Sequence, residues 1–350
     1  MKKSLSRREV LRLLALTAAA SLAGCRATER FATPGGLMAA PSQTAIRHVD
    51  PTPSQTQIET QVETQGESPA TINPQMVDTP SSQAYLAVAH GNDPAAITEA
   101  ALRALGGMER FVKNGYDVII KPNICVDFRS FEYGATTNPI VVATLVRLAL
   151  GAGARSVRVM DSPFGGTAES AYVKSGIAAA VQAAGGKMEI MNPNKFRKTP
   201  IPDGKSLTQC AIYQDVLDCD LLIDVPTAKT HSMAKITVGC KNLMGVITQR
   251  GSIHADMTER IPDLVSVIRP GLTIVDAVRT LMAHGPTGGN LDDVKINNTV
   301  IASHDIVAAD SYATRFFNLT GADIPYIAAA ATRMLGKMDL SGLKIEEINL

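Results

Sequence analysis

From residue 83 onward, short apolar runs alternate with longer helical stretches, and this alternation is the strongest constraint on the fold. Several runs are continuous and rich in β-branched residues, a pattern typical of strands that are buried on both faces of a sheet. The predicted strands are YLAVAH (85–90), DVIIKPN (117–123), SVRVMD (156–161), KMEIMN (187–192), DLLIDVP (220–226), LTIVDAV (272–278) and TVIAS (299–303). The sequence therefore predicts an α/β fold with a mostly parallel central sheet and helices on both faces.

One of the intervening helices is predicted together with both of its ends, from the segment NPIVVATLVRLALGAG. Asn138 is a preferred capping residue, and Pro139 directly after it suits the first helical position. Gly151 follows the last apolar residues and predicts the end of the helix. We therefore expect a helix of about three turns between the second and third strands.

The first 25 residues have the layout of an export signal. They combine a basic start, the pair Arg7-Arg8, a short apolar run and small residues before Cys25. SRREVLR resembles a twin-arginine signal, and LAGC resembles a lipobox, whose cysteine is lipidated after cleavage. The alternative is an ordinary amphipathic N-terminal helix. We expect an extracytoplasmic protein of the cell envelope that Cys25 anchors to a membrane through a lipid.

Residues 26–82 are rich in Thr, Gln, Pro, Ser and Glu, and Phe31 is their only aromatic residue. Such a segment buries too little apolar surface to offset the entropy of ordering it, so a disordered tether is predicted. The α/β domain is then expected at 83–350. The chain has a formal net charge of +1, 4% aromatic residues and no Trp, a composition that argues against a nucleic-acid partner.

The cysteines limit the cofactors that the chain can hold. The four beyond the lipobox are Cys125, Cys210, Cys219 and Cys240. They are irregularly spaced and form no C-x-x-C motif, which argues against a local iron–sulfur or zinc site. Sequence does not determine their disulfide state. Cys240 precedes Lys241, so it is either a thiol whose pKa an ammonium lowers or an inert buried thiol.

Polar residues follow several predicted strands at the point where each strand ends. Lys121 lies near the end of the second strand, and Asp276 lies near the end of the strand that begins at 272. Lys229 and His231 follow the strand that ends at 226. Because the carboxyl ends of parallel strands meet at one edge of a sheet, we expect these side chains to line a single polar cleft.

The lysines of this edge predict a site for a small anion. Lys121, Lys229 and Lys241 would each bind a carboxylate or phosphate as a point charge. Asn123 and Asn242, which adjoin two of these lysines, are assigned to the same ligand. The alternative is a solvent-exposed loop with ordinary strand-end lysines.

A glycine-rich loop, HGPTGG (284–289), is a further candidate for the ligand site. Successive backbone N–H groups around Gly288 would form a nest for an anion. A plain connecting turn is the alternative. The loop lacks the lysine and hydroxyl positions of a P-loop, so nucleotide binding of that type is not expected.

Two histidines predict proton transfer or metal binding. Because histidine side chains ordinarily titrate near neutral pH, we expect His231 and His254 to move protons, with Asp276 orienting one of them. The two histidines and Asp305 would also form a site for a divalent metal of unknown identity. The alternatives are structural histidines and, for Asp305, the N-cap of the helix that follows it.

The ordered series of motifs resembles the domain of unknown function 362 family. The series is KPN (121–123), KTH (229–231), KNLMG (241–245), His254, TIVDA (273–277), GPTGG (285–289) and HDIVAAD (304–310). The resemblance covers roughly residues 84–320 and implies an α/β fold without a settled activity. Some members carry a ferredoxin-like iron–sulfur module, for which this chain lacks clustered cysteines. The architecture is more distantly similar to that of the nickel-dependent lactate racemase family, at the level of the fold alone.

These observations predict an exported, lipid-anchored protein that binds a small anionic ligand, together with a metal, in a polar cleft. Proton-transfer or redox chemistry would suit the predicted groups. Two alternatives stay open. One is a non-catalytic ligand- or cofactor-binding lipoprotein, and the other is an assembly factor for a membrane redox complex.

Overall fold

The computed structural model describes residues 83–350. The predicted export signal, the lipidation site Cys25 and the predicted tether at 26–82 lie outside the described residues. The strands are β1 (Leu86–His90), β2 (Asp117–Pro122), β3 (Ser156–Val159), β4 (Lys187–Met188), β5 (Phe196–Pro200), β6 (Gln209–Tyr213), β7 (Leu221–Val225), β8 (Thr227–His231), β9 (Lys235–Thr237), β10 (Leu272–Leu281), β11 (Val294–Ser303) and β12 (Ile345–Asn349).

A ten-stranded sheet forms the centre of this part of the chain, with the strand order β12-β1-β11-β10-β7-β2-β3-β4. The pairs from β10 through β7, β2 and β3 to β4 are all parallel, as is the pair of β1 with β12. β11 runs antiparallel to both β1 and β10. β8 lies parallel beside β10, and β9 pairs with β8. The predicted α/β fold with a mostly parallel sheet is confirmed.

Ten helices of the described residues accompany the sheet. They are α1 (Pro94–Ala104), α2 (Pro139–Gly151), α3 (Ala168–Lys174), α4 (Ile177–Ala183), α5 (Gln214–Asp218), α6 (Gly239–Asn242), α7 (Arg250–Ile253), α8 (Met257–Val267), α9 (Ile306–Ala313) and α10 (Pro325–Thr332). The predicted helix corresponds to α2, whose cap Asn138 accepts a hydrogen bond from the backbone N–H of Ile140. No helix within 83–350 has the length and apolar character needed to cross a membrane.

Both faces of the sheet are buried, which explains the continuous apolar runs of the sequence. Along β1, Leu86 and Val88 belong to one hydrophobic cluster, while Ala87 and Ala89 belong to another. Because successive side chains of a strand point to opposite faces, the two clusters lie on opposite sides of the sheet. Each face therefore packs against its own layer of helices.

The structure also contains strands that the sequence did not predict. β8 has the sequence TAKTH, which lacks the continuous apolar run by which the other strands were predicted. It is nevertheless a strand, because it pairs with both β10 and β9 and its lysine is buried against other parts of the chain. The hairpin of β5 and β6 and the edge strand β12 are also additions to the predicted set.

Candidate functional site

A cavity of about 540 Å³ opens beyond the carboxyl end of β2, next to β8. A volume of this size accommodates a small organic ligand. The structure brings seven of the predicted site residues to its wall: Lys121, Asn123, Lys229, His231, Lys241, Asn242 and His254. β2 supplies Lys121, β8 supplies Lys229 and His231, and the short helix α6 supplies Lys241. The expected convergence of strand ends therefore describes this pocket well.

Asp276 is not part of the pocket wall, and the expected role in orienting a histidine does not fit its surroundings. One carboxylate oxygen accepts from the backbone N–H of Asn138 at 2.6 Å, and the other accepts from that of Val278 at 3.0 Å. Burial raises the pKa of this carboxyl to about 6. Asp276 therefore joins the start of α2 to β10 and serves the fold.

Asp305 likewise lies outside the pocket wall. Its Oδ1 accepts from the backbone N–H groups of Val307 and Ala308, so it is the N-cap of α9, as the alternative interpretation holds. Its Oδ2 accepts from the Tyr85 hydroxyl at 2.6 Å. The expected metal set is therefore not assembled, and residues 83–350 contain no group of three His, Cys, Asp or Glu side chains placed to hold a metal ion.

The glycine-rich loop does not place Gly288 at the pocket either. Gly288 has a positive φ of 64°, and its carbonyl accepts a hydrogen bond from Arg129. A side chain there would contact Leu281. The connecting-turn alternative describes this glycine better than an anion nest, and the loop reaches the pocket only through Pro286.

A buried ion pair between Lys121 and Asp161 forms one side of the pocket. The ammonium of Lys121 lies 2.8 Å from Asp161 Oδ1, and the exposed fractions of the two side chains are 0% and 3%. Asp161 Oδ2 accepts from the backbone N–H of Ile124 at 2.7 Å. Gly245 passes so close that an added Cβ would lie 2.6 Å from Lys121 Nζ and collide with Asp161. The absence of a side chain at Gly245 is therefore a requirement of the ion pair.

Two amides link Lys229 to the buried carboxyl group of Asp224. Lys229 donates to Asn123 Oδ1 and to the carbonyl of Ala135, both at 2.7 Å. Asn123 in turn donates to Asn242 Oδ1 at 2.9 Å, and Asn242 donates to Asp224 at 2.8 Å. Each amide therefore accepts from one neighbour and donates to another, which fixes the orientation of both side chains.

Lys229 and Lys241 differ from Lys121 because neither has a carboxylate within ion-pairing distance in the described part of the chain. Burial lowers the pKa of Lys229. Burial and the charge of Lys229 lower the pKa of Lys241 to about 8. Both side chains are at least nine-tenths buried. The pocket therefore holds two ammonium groups whose charge the surrounding protein does not neutralise.

The hydrogen bonds of His231 determine which of its nitrogens carries the proton. Nδ1 accepts from the backbone N–H groups of Met233 at 3.1 Å and Ala234 at 3.2 Å, so the proton of the neutral ring is on Nε2. Burial and the charges of Lys241, His254 and Lys229 lower the pKa of His231 to about 3. His231 is therefore a neutral hydrogen-bond donor, and an Nε2 that carries hydrogen is not free to ligate a metal.

His254 lies beside this ring, with the two ring centroids 6.1 Å apart. It ends the short helix α7 at the pocket wall. Arg250 of the same helix donates to the carbonyls of Ser162 and Pro163 at 2.8 and 2.9 Å. Four cationic side chains therefore line the cavity, and Asp161 is the one acidic side chain of its described wall.

Comparison with known families decides the classification. A family model described as Domain of unknown function (DUF362) matches residues 118–315, more than half of the chain. The chain belongs to this family. The Thylakoid-associated protein sll1697 of Synechocystis sp. is 28% identical to this DUF362 member over 237 residues, which cover 65% of this chain and 71% of that protein. The family predicted from the motif series is therefore confirmed.

Two solved structures are similar in fold to this DUF362 chain. The lactate racemase apoprotein from Thermoanaerobacterium thermosaccharolyticum has a TM-score of 0.43 and 12% identity, over 68% of this chain and 58% of that one. A structural-genomics protein from Thermotoga maritima has a TM-score of 0.42 and 12% identity, over 65% and 60%. The chain spans less than two thirds of either structure, and neither contributes to the functional assignment.

Cys125 and Arg250 are pocket residues of this DUF362 member that sequence reasoning did not assign to the site, and Asp161 is the end of a predicted strand to which it gave no role in binding. Cys125 and Asp161 follow β2 and β3, so the rule that led to Lys121 applies to both. Cys240, in contrast, is fully buried, and burial followed by the charge of Asp310 raises the pKa of its thiol well above the usual value. The inert-thiol alternative describes Cys240.

Gly245→Ala tests the ion pair of this DUF362 protein. The new methyl group would separate Lys121 from Asp161, and breaking a buried ion pair costs about 3–5 kcal/mol. We expect a loss of unfolding free energy of this size in urea denaturation. Gly251→Ala is the matched control, because a Cβ there meets nothing within 4 Å and the position is an exposed helical one. Equal stability of the two variants would contradict the assigned role of Gly245.

Proposed function

We propose that this DUF362 protein binds a small anion in the lysine-lined pocket. Lys229 and Lys241 would hold the negative charge, and Lys121 would shape the wall through its pair with Asp161. His231 would donate a hydrogen bond from Nε2 to an oxygen of the ligand. The anion expected from the sequence is retained in this proposal, and the metal is not, because His231 presents a donor and Asp305 lies elsewhere.

The observation that carries the proposal is the burial of Lys241 without an ion-pair partner. Its exposed fraction is 8%, and no carboxylate lies within ion-pairing distance among residues 83–350. A buried charge without a partner is costly, and such a group lowers its pKa or acquires a counterion. A bound anion supplies that counterion. Lys229, with an exposed fraction of 2%, adds a second charge of the same kind.

Proton transfer on the bound anion is the second candidate function, and the same lysine supports it. A group with a pKa of about 8 exchanges protons readily near neutral pH. His231, as a neutral donor, would stabilise negative charge that develops on a ligand oxygen. Binding and proton transfer both use the protonated form of Lys241, so the pH dependence of ligand affinity bears on both functions.

Lys241→Met should weaken anion binding, because it removes the ammonium and keeps most of the side-chain volume. With oxalate as the probe, we expect the dissociation constant from isothermal titration calorimetry to rise about tenfold or more. Lys235→Met is the matched control, since Lys235 is an exposed lysine nearby on β9. Equal binding by both variants, or no saturable binding by the unmodified protein, would count against the proposal.

The affinity for oxalate should fall as the pH rises through about 8. The pKa of Lys241 is lowered, so its ammonium is present below pH 8 and is lost above it, well before an ordinary lysine deprotonates. Oxalate keeps its charge across this range, so the change belongs to the protein. Lys241→Arg should retain its affinity to higher pH, because a guanidinium stays protonated. A decline that is the same in Lys241→Arg would assign the effect to another group.

We further propose that the protein is held at a membrane by a lipid on Cys25. The supporting observations are the lipobox-like LAGC and the Synechocystis relative described as thylakoid-associated. The proposed tether at 26–82 would then separate the α/β domain from the bilayer. An extracytoplasmic site of action follows from the twin-arginine-like start of the chain.

Cys25→Ala should move the protein from the membrane fraction to the soluble fraction, because the lipid attachment site is lost. The measurement is immunoblotting of separated fractions from cells that express the full chain. Cys210→Ala is the control, since it changes a cysteine within the α/β domain. Retention of Cys25→Ala in the membrane fraction would remove the lipid-anchor proposal and leave the pocket proposal untouched.

A further inference from the structure

Cys125 is a pocket residue that the proposed function does not use. It follows β2, its exposed fraction is 4%, and its side chain lines the cavity. Its backbone N–H donates to Thr136 Oγ1 at 3.1 Å, which fixes the position of the residue. Its Sγ contacts the carbonyl oxygen of Pro286, another wall residue, at 3.5 Å. The sulfur is therefore held at the inner wall and is reached from the pocket.

Two lysines interact with this sulfur. Burial lowers the pKa of Lys229, while the charge of Cys125 and a hydrogen bond to it act in the opposite direction. The charge of Cys125 also raises the pKa of Lys241, although burial and the charge of Lys229 have larger effects in the opposite direction. Both ammonium groups therefore lie within electrostatic range of the Cys125 residue, and all three residues line the same cavity.

The other cysteines of the described residues lack this environment. Burial raises the pKa of the Cys210 thiol and raises that of Cys219 to about 12. Cys240 is buried beside Asp310, whose charge opposes a thiolate. Residues 83–350 form no disulfide that would remove Cys125 from reaction. Among these four cysteines, the combination of a pocket position and two ammonium neighbours belongs to Cys125.

Lys241 supplies an independent sign that a ligand belongs next to this sulfur. It is nine-tenths buried, it lines the same cavity, and within 83–350 it has no carboxylate partner. We propose that Cys125 is a nucleophile for small carboxylates that carry an electrophilic carbon, which Lys229 and Lys241 hold by the carboxylate. This inference rests on the proposed anion site and narrows its ligand class.

Iodoacetate is a probe with both required features, a carboxylate and a carbon with a leaving group. The Cys125 thiol first gives its proton to solvent. The thiolate sulfur then forms a bond to the methylene carbon while the carbon–iodine bond breaks, and iodide leaves with the bonding electron pair. The product is S-carboxymethylcysteine, and no oxidant or reductant is needed. Iodoacetamide undergoes the same displacement without the negative charge, so it measures the contribution of the carboxylate.

The experiment measures both alkylation rates at each cysteine of the intact full-length protein by peptide mass spectrometry. Cys210, which is partly exposed, is the reference within the same molecule. We expect the ratio of the iodoacetate rate to the iodoacetamide rate to be about tenfold or more higher at Cys125 than at Cys210. Lys241→Met should lower the ratio at Cys125, and Lys235→Met should leave it unchanged. Oxalate should slow iodoacetate at Cys125 in the unmodified protein, which provides a test independent of any substitution.

A ratio at Cys125 that equals the ratio at Cys210 would overturn the inference, as would a ratio that oxalate does not change. These outcomes are distinguishable from failure of the proposed function. If Cys125→Ser still binds oxalate and Cys125 shows no preference for iodoacetate, the anion site stands and the nucleophile is rejected. If no variant binds oxalate and iodoacetate is not preferred, both are rejected.

Discussion

The buried ion pair between Lys121 and Asp161 fixes the geometry on which the pocket depends. Charges removed from water must be paired and hydrogen-bonded, so the ends of β2 and β3 cannot separate without a large cost. The second oxygen of Asp161 also holds the amide of Ile124, just before Cys125. Gly245 leaves space for the pair, because a side chain at this position would collide with both partners. One electrostatic contact thus positions three distant parts of the chain around one cavity.

The same pair divides the lysines into two kinds. The charge of Lys121 is neutralised by Asp161, whereas the ammonium of Lys229 donates to the neutral oxygens of Asn123 and Ala135. Lys241 has no ion-pair partner among residues 83–350. The sequence does not distinguish these three lysines, whereas the structure pairs Lys121 with a carboxylate and leaves the other two without one. Of the three lysines, Lys229 and Lys241 therefore contribute most to the positive potential inside the cavity.

Much of this arrangement was predictable because strand ends in a parallel sheet share one edge. Lys121, Lys229 and His231 lie together for that reason, although β8 was not among the predicted strands. Asp276 shows the limit of the rule, since a strand-end side chain can point to either face and the backbone groups that bind it come from distant segments. For Asp305 the local capping signal was sufficient. The Cys125 environment depends on contacts 104 and 116 positions away and has no local signature.

The turn after β8 has a consequence for chemical selectivity. The backbone N–H groups of Met233 and Ala234 donate to Nδ1 of His231, so the hydrogen of the neutral ring is on Nε2. An atom facing Nε2 must therefore present a lone pair, and a hydroxyl hydrogen directed there would meet another hydrogen. The ionised form of an acid satisfies this condition at every oxygen, whereas its protonated form does so only in some orientations. Discrimination between an acid and its conjugate base is thus built into the backbone of a three-residue turn.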